Sequence, residues 1–369
     1  MSSAEAVLNE VLDAFDFGAP VVGAMRYGCG HINDTFCVHT QPEDNCCACF
    51  ILQRMSSVAF KHPEQLMRNI INVTEYLGEK IAEVGGDPSR ETLKVIRPRN
   101  GADYYTDSQG GVWRVFPFIK DICCHQSADT PELFAAAGRA FGKFQRMLDG
   151  YPAHTLYETI PHFHDTEDRL AKLIAVVEAD PVGRVKDCAD EIAFALARRA
   201  DCIVAMQALR NGILPLRVTH NDTKLNNILF DANTGEGICV IDLDTVMPGL
   251  AINDFGDAIR FGANHCAEDE KDLSKVNFDI KLYEAYVRGF LAGAQNSLTP
   301  AELEYMPWGA RLMTLECGIR FLTDHLSGDT YFQIHREGHN LDRARTQFKL
   351  VRDMEEQFDN MSAVVAKYT

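Results

Sequence analysis

The stretch at residues 218–230, followed by an apolar run at 238–241 and then Asp242, constrains this chain more than any other part of it. Within that stretch His220 stands two residues before Asp222, and Asn227 five residues after it. Apolar residues lead into each half, so both read as short strands, and Asp242 falls where the second strand ends. Taken singly, the polar residues have ordinary explanations, with Asp222 as a helix N-cap and Asn226 with Asn227 as a turn. Those explanations give no reason for the spacing from Asp222 to Asp242.

The pattern H-x-D-x-x-x-x-N is the spacing of a kinase catalytic loop, and a strand-end aspartate downstream completes the set. Phosphoryl transfer needs a carboxylate to receive the proton of the nucleophile, and oxygen ligands that hold Mg2+ on the phosphates. Asp222 suits the first role, and Asn227 with Asp242 suits the second. His220 reads as structural, because this chemistry needs no second base. Asp254 reads as a brace for the loop backbone.

At 369 residues the chain exceeds one typical domain and predicts two lobes. Hydrophobic residues at 46% and charged residues at 24% supply an ample core. The formal charge of −17 weighs against nucleic acid and anionic membrane surfaces as partners. Where phosphate binds, Mg2+ and local cations must offset that acidity. Val7, Leu8, Val11, Leu12 and Phe15 form an amphipathic helix pattern, without the basic and apolar regions of a signal peptide. No window has the apolar length of a membrane span, so the expected location is cytoplasmic.

Twelve cysteines are present, with Cys46, Cys47 and Cys49 clustered. The Cys46/Cys49 pair lacks a second such pair, and residues 48–52 read as a strand, so free thiols are expected rather than zinc. His162, His164 and Asp165 read as a loop capping a helix that begins near Thr166, rather than as a metal cluster.

In chain order, strand-like residues flank Gly28 and Gly30, where missing Cβ atoms let backbone N–H groups approach phosphate. No third glycine completes G-x-G-x-x-G, and His31 and Asn33 follow. Gln53 occupies the place where a protein kinase carries its N-lobe lysine. The helix expected at 63–77 has Glu75 as its only glutamate beyond the first turn, so a lysine–glutamate pair is not expected. Residues 93–96 and 111–116 read as strands. Phe116, Phe118 and Ile119 stand at the hinge of a kinase plan, where adenine is sandwiched. Helices are expected at 131–148, 166–177, 190–209, 280–291, 300–326 and 343–367.

The segments Gly28–Asn33, 50–55, 162–165, 218–229 and 241–245, extended by 254–262, 320–324 and 328–332, resemble the aminoglycoside phosphotransferase superfamily. Within it the His-Ile-Asn, His-Phe-His-Asp and Arg-Phe-Leu segments look like the branch that phosphorylates N-acetylhexosamines. The resemblance covers nearly the whole chain. It implies an α+β, protein-kinase-like fold of two lobes, with a β-rich N-lobe at 1–118 and a mainly helical C-lobe at 119–369. It implies transfer from ATP to the anomeric hydroxyl of N-acetylglucosamine or N-acetylgalactosamine, with Asp222 as base and Asn227 and Asp242 holding Mg2+. His31, Asn33, Arg320 and Tyr331 would touch the sugar, with Asp244 and Phe261 as further candidates. Glutamine at position 53 also fits this branch.

Read without the family, Arg320 lies among apolar neighbours on a helix and needs a partner, which Asp324 would supply one turn on. Tyr331 suits stacking on a sugar face or capping a helix pair. Two other readings stand beside the sugar kinase. One is a kinase for choline, homoserine, methylthioribose or an aminoglycoside, which a basic Arg320 in the pocket opposes for cationic substrates. The other is a non-catalytic pseudokinase, opposed by the presence of Asp222, Asn227 and Asp242 together. Expected partners are the sugar and ATP, and a monomer is favoured.

Overall fold

The computed structural model describes residues 3–28, 33–41, 48–57 and 60–369. Helix α1 (Ser3–Ala14) opens the chain, and its apolar stripe explains where it goes. Val7 and Val11, with Phe15 just beyond, pack with Val38, Leu52, Trp113 and Val115. Those residues line one face of a sheet formed by β1 (Val21–Arg26), β2 (Asp34–Thr40), β3 (Cys49–Met55), β4 (Tyr105–Thr106) and β5 (Val112–Pro117). The strands run in the order β1-β2-β3-β5-β4, antiparallel throughout. Gly28, at φ 80, follows β1 in a conformation that side chains disfavour.

Residues 93–96 do not form the expected strand. The free edge of β5 pairs with β4 at Trp113 and Val112, which leaves only a single bridge from Ile96 to Val115. Helix α2 (Pro63–Glu83) runs past residue 77 because Ile81 continues its buried stripe of Leu66, Met67, Ile70, Val73 and Leu77. Its Asn69 donates to the carbonyls of Tyr157 and Val246, docking the sheet-bearing lobe on the helical one. Glu75 is exposed and, among the described residues, its ion-pair contact is Arg97 at 4.0 Å. A short helix, α3 (Pro88–Glu91), follows.

Beyond the sheet come β6 (Ile122–Cys123), α4 (Pro131–Met147) and α5 (Thr166–Ala179). The expected helix at 190–209 is instead three, α6 (Ala189–Ala197), α7 (Arg199–Cys202) and α8 (Val204–Arg210). At the first break the Arg198 guanidinium takes the Phe194 carbonyl at 3.0 Å, and the Arg198 N–H turns to Ala195. A β insertion follows, with β7 (Arg217–Thr219), β8 (Ile228–Asp231), β9 (Gly237–Val240) and β10 (Met247–Gly249). They pair as β10-β7 and β6-β8-β9.

The chain ends in α9 (Ala251–Gly262), α10 (Ile280–Ala294), α11 (Pro300–Leu326), α12 (His339–Glu356) and α13 (Phe358–Lys367). The run expected as one helix at 343–367 breaks at Gln357, and Phe358 turns onto Trp308 with ring centroids 5.4 Å apart. A Thr299–Glu302 capping box starts α11.

The helical layers approach very closely. A Cβ on Gly256 would lie 2.1 Å from the Gly309 carbonyl oxygen, so α9 and α11 touch backbone to backbone. This contact fixes the two helices that carry much of the site described next. The nine described cysteines are all free thiols. Among the described residues, no helix is long and apolar enough to cross a membrane.

Candidate active site

The loop after β7 is held by buried side chains rather than by regular structure. Asp254, on α9, accepts from the His220 N–H at 2.9 Å and the Asn221 N–H at 2.8 Å. Burial pushes its carboxyl pKa up, against His220 and these donors. Asp257, one turn on, accepts from the Thr223 N–H at 3.0 Å. The His220 ring packs edge-on to Phe141 and Phe144. Its Nε2 lies 2.8 Å from the Ile241 carbonyl and donates there, which leaves Nδ1 to accept from the Asp222 N–H at 3.2 Å. Asn221 and Asp242 both adopt left-handed backbone, at φ 64 and φ 60. Such conformations persist where the surroundings over-determine them.

Asp222 is half-buried and meets Lys224, whose Nζ lies 2.7 Å from Asp222 Oδ1. Burial alone would lower the Lys224 pKa, but Asp222 and Asp257 outweigh it and hold the ammonium charged. Asn227 donates through Nδ2 to the Asp222 carbonyl at 2.8 Å and to its carboxylate at 3.2 Å. Asp242 follows β9 by two residues and is exposed. Surrounding protein, then the neighbouring Asp244 and Asp222, push its carboxyl up to about 6, against Arg114 and His220.

Above the loop, antiparallel register places Gln53 opposite Arg114 on the face of the sheet turned from α1. The Arg114 Nε donates to Gln53 Oε1 at 3.0 Å, and its Nη1 forms a buried ion pair with Asp244. Asn33 donates to the other Asp244 oxygen at 2.7 Å and accepts from the Ser56 N–H. Asp244 therefore ties both lobes together across the cleft. Phe118 stacks edge-on with Tyr27, centroids 5.7 Å apart, and its N–H donates to the Cys49 carbonyl. Phe116 and Ile119 are buried beside it. Gly30 and His31 lie outside the described residues.

On the helical side, Asp324 is not the partner of Arg320, contrary to the spacing argument. Both its oxygens are taken by the N–H groups of Thr330, Tyr331 and Phe332 and by Asn340. Those bonds shape the 328–332 loop, and the Arg320 guanidinium instead lies over Phe163 at 5.3 Å and Phe332 at 5.5 Å. One turn before it on α11, Glu316 meets His164 Nδ1 at 2.9 Å, and His164 Nε2 reaches the Asn221 carbonyl at 3.1 Å. A continuous chain of contacts thus runs from Arg320 back to the residue beside Asp222. Asp165 caps α5 through the Asp168 N–H. Tyr331 is 70% exposed, while Phe261 is half-buried one turn beyond Asp257 on α9.

Three contacts of the site could not be read from the sequence, although His164 itself stands in a segment singled out there. Lys224 lies inside the motif but pairs with Asp222 only through the loop's fold. Arg114 joins Gln53 through strand register. His164 and Glu316 come from segments 152 residues apart.

Residues 26–301 match the phosphotransferase enzyme family. Among solved structures, a microcompartment-associated aminopropanol kinase is 16% identical, with a TM-score of 0.59, covering 97% of this chain and 98% of its own. An amicoumacin kinase, solved in complex with AMP-PNP, Ca2+ and Ami, is 15% identical with a TM-score of 0.56, covering 95% of this chain and 93% of its own. A choline/ethanolamine kinase family protein from Mesorhizobium loti is 18% identical with a TM-score of 0.54, covering both chains fully. At these identities the likeness shows a shared kinase-like fold, with an antiparallel sheet lobe and a helical lobe.

Proposed function

The chain belongs to the phosphotransferase enzyme family and is a small-molecule phosphotransferase; from that premise we propose that it transfers the γ-phosphoryl group of ATP to the anomeric hydroxyl of an N-acetylhexosamine. Asp222 is the base, and the observation that carries the reading is its position, paired with Lys224 and Asn227 on the loop that Asp254 and Asp257 brace. Asp222 accepts the anomeric proton as the sugar oxygen bonds to the γ-phosphorus and the β,γ-bridging P–O bond breaks. ADP leaves, and the proton passes from Asp222 to solvent.

Asn227 turns its amide nitrogen to Asp222 and so has its side-chain oxygen for a cation. The crowded Asp242 carboxyl gains from one too. These two residues would hold Mg2+, which when bound neutralises charge on the transferring phosphoryl group. Arg114 supplies the roof cation that the sheet otherwise lacks at Gln53. Gly28, Phe116, Phe118 and Ile119 frame the nucleotide.

The sugar lies against Arg320, Tyr331 and Phe261, with Asn33 and Asp244 at its nucleotide end. Arg320 over two aromatic rings offers guanidinium donors beside an apolar face, which suits hydroxyl and acetamido oxygens. The anomeric hydroxyl is the most acidic on a free sugar and yields its proton to a carboxylate most readily. An amino-alcohol acceptor is the second reading, favoured by the buried carboxylates of Glu316 and Asp257 and opposed by Arg320 and Arg169 nearby.

Phosphorus NMR on the product of N-acetylglucosamine or N-acetylgalactosamine should show phosphorus coupled to the anomeric proton, with no turnover of the 1-deoxy or 1-O-methyl sugars. Turnover of a 1-O-methyl sugar, or a preference for aminopropanol or choline, overturns the hexosamine 1-kinase reading.

A further inference from the structure

Three side chains on the roof, Cys37, His39 and Cys49, meet at one point although the sequence separates them. Antiparallel pairing puts His39 directly opposite Cys49, and Cys37 two residues along β2 on the same face. His39 Nδ1 lies 3.3 Å from Cys49 Sγ, and the three ligand atoms all lie within 4.8 Å of one another. Cys37 is buried, while His39 and Cys49 are half-buried with solvent access. A tetrahedral Zn2+ with bonds of ordinary length separates its sulfur and nitrogen ligands by about 3.6–3.8 Å, so a small rotamer closure suffices.

We propose that Cys37, His39 and Cys49 form a site for a soft divalent cation such as Zn2+, on the part of the roof where a nucleotide base would lie, so that cation and nucleotide exclude each other. The second half rests on the nucleotide cleft proposed above. Two thiolates and an imidazole select Zn2+ over Mg2+ and leave a fourth position open. Binding forms two metal–sulfur bonds and one metal–nitrogen bond and sends two thiol protons to solvent, leaving a complex with no net charge. That neutrality suits a half-buried position.

Register fixes the location. Cys37, Ile51 and Phe116 stand abreast, and Gln53 with Arg114 form the next row on the same face. On the other side of that row, the Cys49 carbonyl accepts from the Phe118 N–H. The cluster therefore lies toward the hinge end of the roof, with Cys37 about 7 Å and Cys49 about 13 Å along the strand from Gln53.

The test uses the reduced full-length chain in a C46S/C47S background, so that those two thiols, outside the described residues, give no signal. Co2+ titration should give one equivalent with thiolate-to-metal charge-transfer absorption, displaced by Zn2+. C37S, C49S and H39Q should each weaken binding at least tenfold, with circular dichroism melts reporting that the variants fold. Absence of the band in the parent, or its persistence in folded C37S and C49S, overturns the site. Zn2+ should then weaken binding of a fluorescent ATP analogue at least tenfold in the parent and not in C49S. Bound Zn2+ with unchanged nucleotide affinity overturns the exclusion while leaving the metal site standing.

Discussion

On the floor of the cleft, the backbone N–H groups of His220, Asn221, Asp222 and Thr223 are each held by a buried side chain of the helical lobe. On the roof, by contrast, Gln53, Arg114 and Asn33 are held by one another and by Asp244, through bonds that exist only while strand register and lobe closure persist. The floor is rigid, since unsatisfied buried donors would be costly to create, and the proposed chemistry rests on it. The roof can be rearranged by whatever occupies the cleft. Substitutions on the floor should therefore act on rate, and those on the roof on nucleotide affinity.

The largest effect belongs to the floor. Asp222→Asn keeps the shape and the Asn227 contact but removes the proton acceptor, so turnover should fall by ~10²–10⁴-fold. Nucleotide affinity measured by calorimetry should stay within about twofold, because no roof residue is touched. A variant retaining a tenth of the parent rate would sink the assignment of Asp222 as base.

That division also decides what could be read before the fold was known. The placing together of Asp222, Asn227, Asp242 and Asp254 is legible because one contiguous loop and the helix after it carry them. The long helix at 300–326 is legible because a capping pair and an apolar run mark it. The roof is not, because its partners depend on which residue of β5 pairs with which of β3, and register is set by the whole sheet. Arg114 and the Cys37–His39–Cys49 cluster are invisible for that reason. Arg320 misled because helical spacing offers Asp324 as a partner, while three loop N–H groups compete for the same carboxylate and win.

An intermediate effect tests the roof. Arg114→Met removes its buried guanidinium and leaves Asp244 with Asn33 alone. Nucleotide affinity should fall on the order of tenfold while the sugar KM changes little. Since breaking one side of a buried pair is destabilising, about 3–5 kcal/mol by precedent, Asp244→Asn in the same chain should recover part of the melting temperature. A sugar KM that rises with nucleotide affinity unchanged would move Arg114 from the roof to the acceptor site.

The smallest effect is a pH dependence where the floor meets the acceptor side. His164 faces Glu316 from α11, Asp257 from α9 and the Asn221 carbonyl. Burial alone would lower its pKa, but Glu316 and Asp257 outweigh burial and raise it above the ordinary imidazole value. Glu316, reciprocally, is held below the usual carboxylate range by His164 and Arg320 despite burial. A raised imidazole pKa means that the folded chain holds a proton the unfolded chain releases. His164 therefore contributes stability that is full below about pH 6.5 and is lost as pH rises through its folded pKa, with a slope of at most about 1.4 kcal/mol per pH unit. Glu316 acts oppositely, losing its contribution only as pH falls below the ordinary carboxylate range. Chemical denaturation of the parent and of His164→Gln across pH 6–9 reads the first of these, because groups away from His164 cancel in the difference. The stability gap between them should narrow as pH rises. A gap independent of pH would mean that His164 is neutral in the folded chain and acts only as a spacer between Glu316 and the catalytic loop.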